Sequence, residues 1–193
     1  MKFKLFIVVI LLSYSNLFSQ DSNFNVELNY PLPIDDNFIG RNYNGIIEAG
    51  LRYRFVNTSI LNVGIALNSG VLKNTNSDNE IGIDVTVVSV QPRVFAELDI
   101  EALPSFHPSV ALGYSYMNFK SKNFSDTSVE DANTLDSKNG FNFNFGIAYD
   151  ITKTLFIQAQ YDFVKLTVNN GVPNTRYNTE VNMLKLGLGY RLQ

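Results

Sequence analysis

The sequence has no cysteine, no tryptophan and a single histidine among its 193 residues. The absence of cysteine excludes disulfide scaffolds, cysteine-ligated zinc sites and thiol nucleophiles, and one histidine cannot build a histidine-rich metal site. Charged residues make up 17% of the chain, below the roughly 25% of an average soluble domain. No long apolar run follows residue 20, which excludes a bundle of transmembrane helices. These absences favour a structural or binding protein, and we expect no catalytic residue, metal site or cofactor.

The first nineteen residues have the order of a secretory signal peptide. A basic start at residues 1–4 precedes an apolar run at 5–12, and polar and small residues follow up to Ser19. The run is too short to span a membrane, and it has no polar face that would suit a buried helix. We expect residues 1–19 to be removed and residues 20–193 to form one exported domain. Loss of Lys2 and Lys4 leaves 13 basic against 18 acidic residues, which argues against a nucleic acid partner.

The remaining sequence alternates between apolar and polar residues with period two. In residues 45–56 one face is formed by Gly45, Ile47, Ala49, Leu51, Tyr53 and Phe55. The opposite face includes Glu48, Arg52 and Arg54. Such alternation predicts a strand with one apolar and one polar face. Similar patterns cover residues 141–151, 155–164 and 183–192, and weaker ones cover 24–30, 60–72, 84–100 and 107–119. The sequence therefore predicts about eight strands, and it has no helical periodicity outside the signal.

The predicted links between the strands alternate in length. Residues 31–43, 73–83, 120–139 and 168–180 are long and polar, whereas residues 57–59, 101–106 and 150–153 are short. An up-and-down meander with an even number of strands places all long links at one end. The short links and both termini then lie at the other end, as in outer-membrane barrels.

A short motif recurs near the ends of the even-numbered strands. It has the form polar-x-Gly-x-x-apolar-x-apolar and occupies residues 48–55, 144–151 and 185–192, and residues 93–100 match it with Phe95 in the glycine position. We interpret the glycines as relief of crowding inside a narrow barrel. The tyrosines of the motif are interpreted as anchors at a membrane interface: Tyr53, Tyr149 and Tyr190.

The alternation alone suits two classes of barrel. A soluble, lipocalin-like barrel turns its apolar face inward and binds an apolar ligand there, whereas a membrane barrel turns the same face towards lipid. Here the apolar face is continuous across the strands and rich in aromatic residues. The polar face combines small residues with charges of both signs, which suits a crowded, self-paired interior. These features favour the membrane barrel.

The last strand carries a more specific resemblance. Residues 185–192, KLGLGYRL, resemble the C-terminal signal read by the barrel assembly machinery of the outer membrane. Residues 24–192 as a whole are similar to the small eight-stranded OmpA/OmpX-like barrels grouped as the outer membrane protein beta-barrel domain family, from which the chain departs in ending on Gln193 and lacking tryptophan. The resemblance implies an all-β, eight-stranded antiparallel up-and-down transmembrane β-barrel after a cleaved signal peptide. It also implies a place in the outer membrane of a Gram-negative envelope, in contact with outer-membrane lipid and lipopolysaccharide.

We therefore expect a non-enzymatic outer-membrane barrel whose long outer loops serve envelope integrity, or surface recognition and adhesion through an extracellular ligand. His107 can be considered as a general base, but it precedes Pro108 near a short link and is interpreted as a turn or interface residue. Four loop acids suit divalent cations in principle but lack the spacing of an EF-hand, so we interpret them as solvated: Asp126, Glu130, Asp131 and Asp136.

The predicted inward faces carry nearly equal numbers of acids and bases. The acids are Glu27, Glu48, Glu97, Asp99 and Asp162, and the bases are Arg52, Arg54, Arg93, Lys185 and Arg191. We predict an ion-pair network that plugs the lumen, with Arg52 and Arg93 at its centre because a guanidinium can bridge two carboxylates. The residues predicted to face lipid are Ile47, Leu51, Phe143, Ile147, Leu186 and Leu188.

Overall fold

The computed structural model describes residues 23–74, 83–123, 135–167 and 173–192. The strands are β1 (Phe24–Ile34), β2 (Tyr43–Asn57), β3 (Leu61–Asn74), β4 (Ile83–Leu98), β5 (Phe106–Asn123), β6 (Leu135–Asp150), β7 (Leu155–Leu166) and β8 (Glu180–Arg191). Two short helices, α1 (Phe38–Asn42) and α2 (Arg176–Thr179), precede β2 and β8. The sequence did not indicate these helices, because a single helical turn is too short to produce periodicity. Neither helix of the described chain is long and apolar enough to cross a membrane.

Each strand pairs in antiparallel fashion with the next, and β1 pairs with β8 to close the barrel. This confirms the predicted eight-stranded up-and-down barrel. The links after β2, β4 and β6 are short, and Leu192 N–H donates to the Phe24 carbonyl 3.0 Å away, so both ends of the barrel wall lie with them. We call this the short-turn end and the opposite side the long-link end. Residues 1–22, which include the predicted signal peptide, lie outside the described residues.

The apolar face of the sheet points outward. Leu186 is 64% exposed and Leu51 is 53% exposed, and Ile47, Ile147 and Leu188 are exposed as well, while Phe143 is partly exposed. Glu48, Arg52 and Lys185 are at most 5% exposed and point into the lumen. The predicted orientation is confirmed. An apolar exterior around a polar interior is the arrangement of a barrel in lipid, which excludes the soluble, lipocalin-like alternative.

Aromatic rings cluster on the outer wall at the short-turn end. The rings of Phe24 and Tyr53 lie 4.7 Å apart between centroids, and those of Phe106 and Tyr149 lie 4.9 Å apart. Tyr149 and Tyr190 are exposed at the ends of β6 and β8. Amphipathic rings at this level are typical of a membrane interface, in agreement with the role predicted for the tyrosines of the repeated motif.

The first strand is longer than the sequence predicted. Residues 31–34 continue β1 rather than opening a link, although they contain Pro31 and Pro33. The register of β1 with β8 runs to Ile34, whereas its register with β2 ends at Asn29 opposite Glu48. The backbone carbonyl of Asn23 accepts a hydrogen bond from the backbone N–H of Arg54 in β2. Because backbone groups alternate in direction along a strand, the N–H and C=O groups of the odd-numbered residues of β1 face β2. The N–H groups that Pro31 and Pro33 lack would therefore point towards β2. The hydrogen-bond ladder with β2 ends for this reason, whereas the ladder with β8 continues.

A β-bulge changes the predicted faces of β2. The register with β3 shifts between Gly45 and Ile47, so that Ile46 and Ile47 are both exposed and Gly45 turns inward. The prediction that Gly45 shares the face of Ile47 was wrong, because a bulge inserts one residue without altering local composition. A Cβ atom on Gly45 would lie 1.5 Å from the carbonyl oxygen of Pro31, so only glycine permits this approach of β1 and β2.

Apolar side chains pack together in the lumen at the long-link end. They form one buried cluster, which we call the apolar cap: Ile39, Tyr43, Leu72, Val87, Met117, Val164, Leu166, Val181 and Met183. Ile39 comes from α1, whose first turn is held by Asn37 because its side-chain oxygen accepts from Gly40 N–H at 2.8 Å. The lumen is thus apolar at this end and polar below it.

Candidate functional site

In the polar part of the lumen, Arg52 lies between two glutamates. The guanidinium of Arg52 lies 3.4 Å from the carboxylates of both Glu27 and Glu97, and Arg54 also pairs with Glu97. The Arg52 guanidinium stacks 4.1 Å from the centroid of the Phe95 ring, which is 1% exposed. This confirms the bridging role predicted for Arg52.

A second ion cluster lies around Lys185. Its ammonium is 2.5 Å from carboxylate oxygens of both Glu48 and Asp162, and its side chain is fully buried. Arg93 pairs with Asp162 and donates to the amide oxygens of Gln91 and Asn142, at 2.8 Å and 3.1 Å. Arg93 therefore lies in the lumen network as predicted, but among the described residues it contacts one carboxylate and does not bridge two. Lys185 fills that role, since its position on β8 lies between Glu48 and Asp162.

Neutral side chains complete the hydrogen bonding of these charges. Glu48 accepts from the side-chain amides of Asn29 and Asn68, and Asp162 accepts from Asn144 at 2.6 Å. A Cβ on Gly50 would lie 2.6 Å from the Asn68 side-chain nitrogen, which confirms the predicted crowding at the motif glycine. Buried charges that are paired and hydrogen-bonded avoid most of the desolvation cost of an isolated charge.

The short-turn end has a separate cluster centred on His107. Its Nδ1 lies 2.7 Å from Asp99 and its Nε2 lies 3.0 Å from Asp150, which in turn pairs with Arg191 at 2.6 Å. Asp99 and Arg191 were predicted in the central network but lie in this cluster, because Asp99 directly follows β4 and Arg191 ends β8 on the short-turn side. His107 thus ties two short links together, beyond the simple turn position that the sequence suggested.

The long-link end contains a pocket of about 360 Å³ above the apolar cap. Its floor and walls are formed by Phe38, Ile39, Tyr43, Val85, Phe119, Leu166 and Val181, and its rim by Asp136, Lys138, Tyr177, Asn178 and Glu180. The Phe38 ring contacts the rings of Tyr43 and Tyr177 at centroid distances of 5.8 Å and 6.3 Å, in edge geometry. We call this the outer pocket. The sequence did not single it out, because its residues come from many separate elements or links.

The charges around the outer pocket are paired unequally. Glu180 binds Lys165 at 3.1 Å through one oxygen and Arg176 at 3.0 Å through the other. Lys138 pairs with Asp136 at 3.1 Å, and the Lys138 side chain is 18% exposed against 59% for Asp136. Of the four acids considered for cation binding, Asp136 has this ammonium partner, and Asp126, Glu130 and Asp131 lie outside the described residues.

Comparison with known proteins agrees with this architecture. The family described as "Outer membrane protein beta-barrel domain" matches residues 5–191. No curated protein sequence matches the chain. The structure of Neisserial surface protein A (NspA) is 14% identical, with a TM-score of 0.63 over 88% of this chain and 97% of that chain.

Two further solved structures are similar at low identity. Ail, the attachment invasion locus protein of Yersinia pestis, is 17% identical with a TM-score of 0.56 over 88% of this chain and 96% of that chain. A major outer membrane protein from Thermus thermophilus is 12% identical with a TM-score of 0.60 over 86% of this chain and 97% of that chain. At such identities the likeness shows a shared fold. The family match spans nearly the whole sequence, and the chain therefore belongs to the outer membrane protein beta-barrel domain family and lies in the cell outer membrane.

Proposed function

We propose that the protein is a non-enzymatic outer-membrane barrel with a closed lumen. In this proposal the barrel itself supports the envelope, and the long-link end recognises ligands. The observation that supports this proposal is that two layers of buried side chains lie in the lumen. The ion clusters around Arg52 and Lys185 fill the polar part, and the apolar cap fills the long-link end. An eight-stranded barrel is only wide enough inside for its own side chains.

The position of His107 supports a role without catalysis. It is the single histidine of the sequence, and both ring nitrogens face carboxylates at the short-turn end. Short turns of outer-membrane barrels face the periplasm. The outer pocket at the opposite end therefore has no imidazole to serve as a general base.

The proposed lipid partners are anionic lipids of the outer leaflet, lipopolysaccharide in particular. Lys73 and Lys120 are exposed on the outer wall near the long-link end. Lys73 of β3 and Lys120 of β5 are both register partners of Thr86 of β4. The two lysines therefore lie on either side of β4, at the same height along the barrel. Ammonium groups at this level suit lipid phosphates. The assembly machinery is proposed to read β8 through residues 185–192.

An extracellular ligand is a further part of the proposal. One solved structure shows Ail of Yersinia pestis in complex with the heparin analogue sucrose octasulfate, at 15% identity and a TM-score of 0.57. A barrel of this fold can therefore bind a ligand, as Ail does. In the present protein, the outer pocket is the place that we propose for an extracellular ligand.

Closure of the lumen is tested by recording purified protein and its Arg93→Ala variant in planar bilayers. We expect no steady ion conductance from either, because the apolar cap stays intact when the Arg93–Asp162 pair is lost. A larger barrel of known porin activity in the same bilayers serves as the positive control. Large, steady conductance from the unmodified protein would show an open pore and overturn the proposal.

The outward position of the long-link end is tested by cysteine labelling, since the chain has no native cysteine. Asn174→Cys, before α2, and Ser59→Cys, in the link after β2, are both at exposed positions. A membrane-impermeant maleimide should label Asn174→Cys on intact cells and Ser59→Cys only after the outer membrane is permeabilised. The reverse pattern would place the outer pocket in the periplasm and contradict a role in surface recognition.

A further inference from the structure

The outer pocket has the composition of a small-molecule site. Its floor consists of Ile39, Val181 and Leu166. Four aromatic residues from different elements surround it: Phe38, Tyr43, Phe119 and Tyr177. A volume of about 360 Å³ lies within the range of roughly 300–1,000 Å³ for ligand pockets, which are mostly apolar with a few placed polar groups. An apolar body of modest size would therefore be covered on several sides here.

One buried polar group faces the pocket without a partner. Tyr43 is 5% exposed, and its hydroxyl has no hydrogen-bond partner among the described residues. Tyr43 also lines the outer pocket, so its hydroxyl lies within reach of a ligand there. A buried tyrosine hydroxyl usually has a hydrogen-bond partner, and a ligand in the pocket would supply one.

The rim indicates the charge of the ligand. Both carboxylate oxygens of Glu180 already contact cations, so its negative charge is largely neutralised and attracts a further positive group only weakly. Lys138 lies mostly within the structure, while its counter-ion Asp136 lies mainly in solvent. Because Asp136 is largely solvated, a ligand anion at the Lys138 ammonium would compete with a hydrated counter-ion rather than with a buried one.

We propose that the outer pocket binds a small amphiphile with an aromatic or aliphatic body and one carboxylate group. The body packs on Ile39, Val181 and the ring of Phe119, and the carboxylate accepts from Lys138 and the Tyr43 hydroxyl. This inference rests on the proposed recognition role of the long-link end and names the ligand class for it.

The probe is 4-phenylbutanoate, titrated into the protein in lipid nanodiscs and followed by ligand-observed NMR. Empty nanodiscs correct for partition into lipid. We expect saturable binding, about tenfold weaker binding of the neutral 4-phenylbutanol and no saturable binding of 4-phenylbutylammonium, because a charged hydrogen bond contributes more than a neutral one. No saturable binding of the carboxylate, or equal binding of the alcohol, would overturn the proposal.

Variants locate the site. Lys138→Gln should weaken carboxylate binding about tenfold and leave the alcohol unchanged, and Tyr43→Phe should weaken both about threefold. Val85→Phe fills the pocket and should abolish binding, while Lys153→Gln at the short-turn end is the control. Unfolding of each variant is checked by its electrophoretic mobility with and without heating. Binding that survives Val85→Phe in a folded barrel would place the ligand elsewhere and overturn the proposal.

The conductance and cysteine-labelling experiments do not involve this ligand. If 4-phenylbutanoate does not bind but the barrel is closed and its long-link end faces outward, the ligand proposal fails and the proposed function stands.

Discussion

Replacing Lys185 with methionine is expected to lower the free energy of unfolding by about 3–5 kcal/mol, the usual cost of removing one partner from a buried ion pair. The Lys185 ammonium is fully buried between Glu48 and Asp162. Without it Asp162 keeps Arg93, but Glu48 retains only the amides of Asn29 and Asn68. Glu48 then stays buried as an uncompensated charge. Urea unfolding of the barrel in lipid vesicles, followed by circular dichroism, measures the loss.

Two variants control this experiment. Lys153→Met removes an exposed lysine between β6 and β7 that has no ion-pair partner in the described chain, and it should change stability by less than about 0.5 kcal/mol. The double variant Glu48→Gln with Lys185→Met removes both charges and should recover part of the loss. If Lys185→Met were as stable as Lys153→Met, lumen water would be solvating the carboxylates and the paired-lumen interpretation would fail.

Arginine in place of Leu186 is expected to cost about 2–4 kcal/mol, as charged residues do on the lipid face near the bilayer midplane. Leu186 lies in the middle of β8, and its side chain is 64% exposed on the outer wall. In lipid this exposed surface contacts hydrocarbon, where a guanidinium loses its hydration. The same vesicle unfolding experiment measures the effect.

The depth dependence provides the matched control. Leu192 follows β8 at the short-turn end and is also exposed, but it lies at the edge of the barrel wall. Leu192→Arg should cost only about 0–1 kcal/mol, because arginine near an interface keeps its head group in water. Equal costs at the two positions would mean that the outer wall does not cross a hydrocarbon layer as described.

The faces of the strands were predictable because period-two alternation is a local property. Leu51, Leu186 and Glu48 lie on their predicted faces since each strand alternates by itself. The same logic failed where the backbone changes its geometry without a change of composition. The bulge at Ile46 moved Gly45 inward, and Pro31 remained in a strand because its missing N–H lies on the side where the ladder ends.

Depth along the barrel was not predictable in the same way. Alternation placed Val164 and Met183 on the polar face, but the apolar cap that they join depends on which strand ends meet at one level. The bridging position of Lys185 was not predictable for a similar reason, since reach across the lumen depends on the register between strands that are distant in sequence. The outer pocket needs α1 and α2 as well, and single helical turns leave no periodic signal.

The first strand is held more extensively by the last strand than by its sequence neighbour. Its ladder with β2 ends at Asn29, whereas its ladder with β8 continues to Ile34. The β1–β8 contact brings together the two ends of the barrel chain, and such a long-range closure is slow because its entropic cost comes before its hydrogen bonds form. A nascent barrel that lacks β8 leaves an edge of β1 and an edge of β7 unpaired, and hydrocarbon does not tolerate open strand edges. We therefore expect the alignment of β1 to become fixed only when β8 pairs with it.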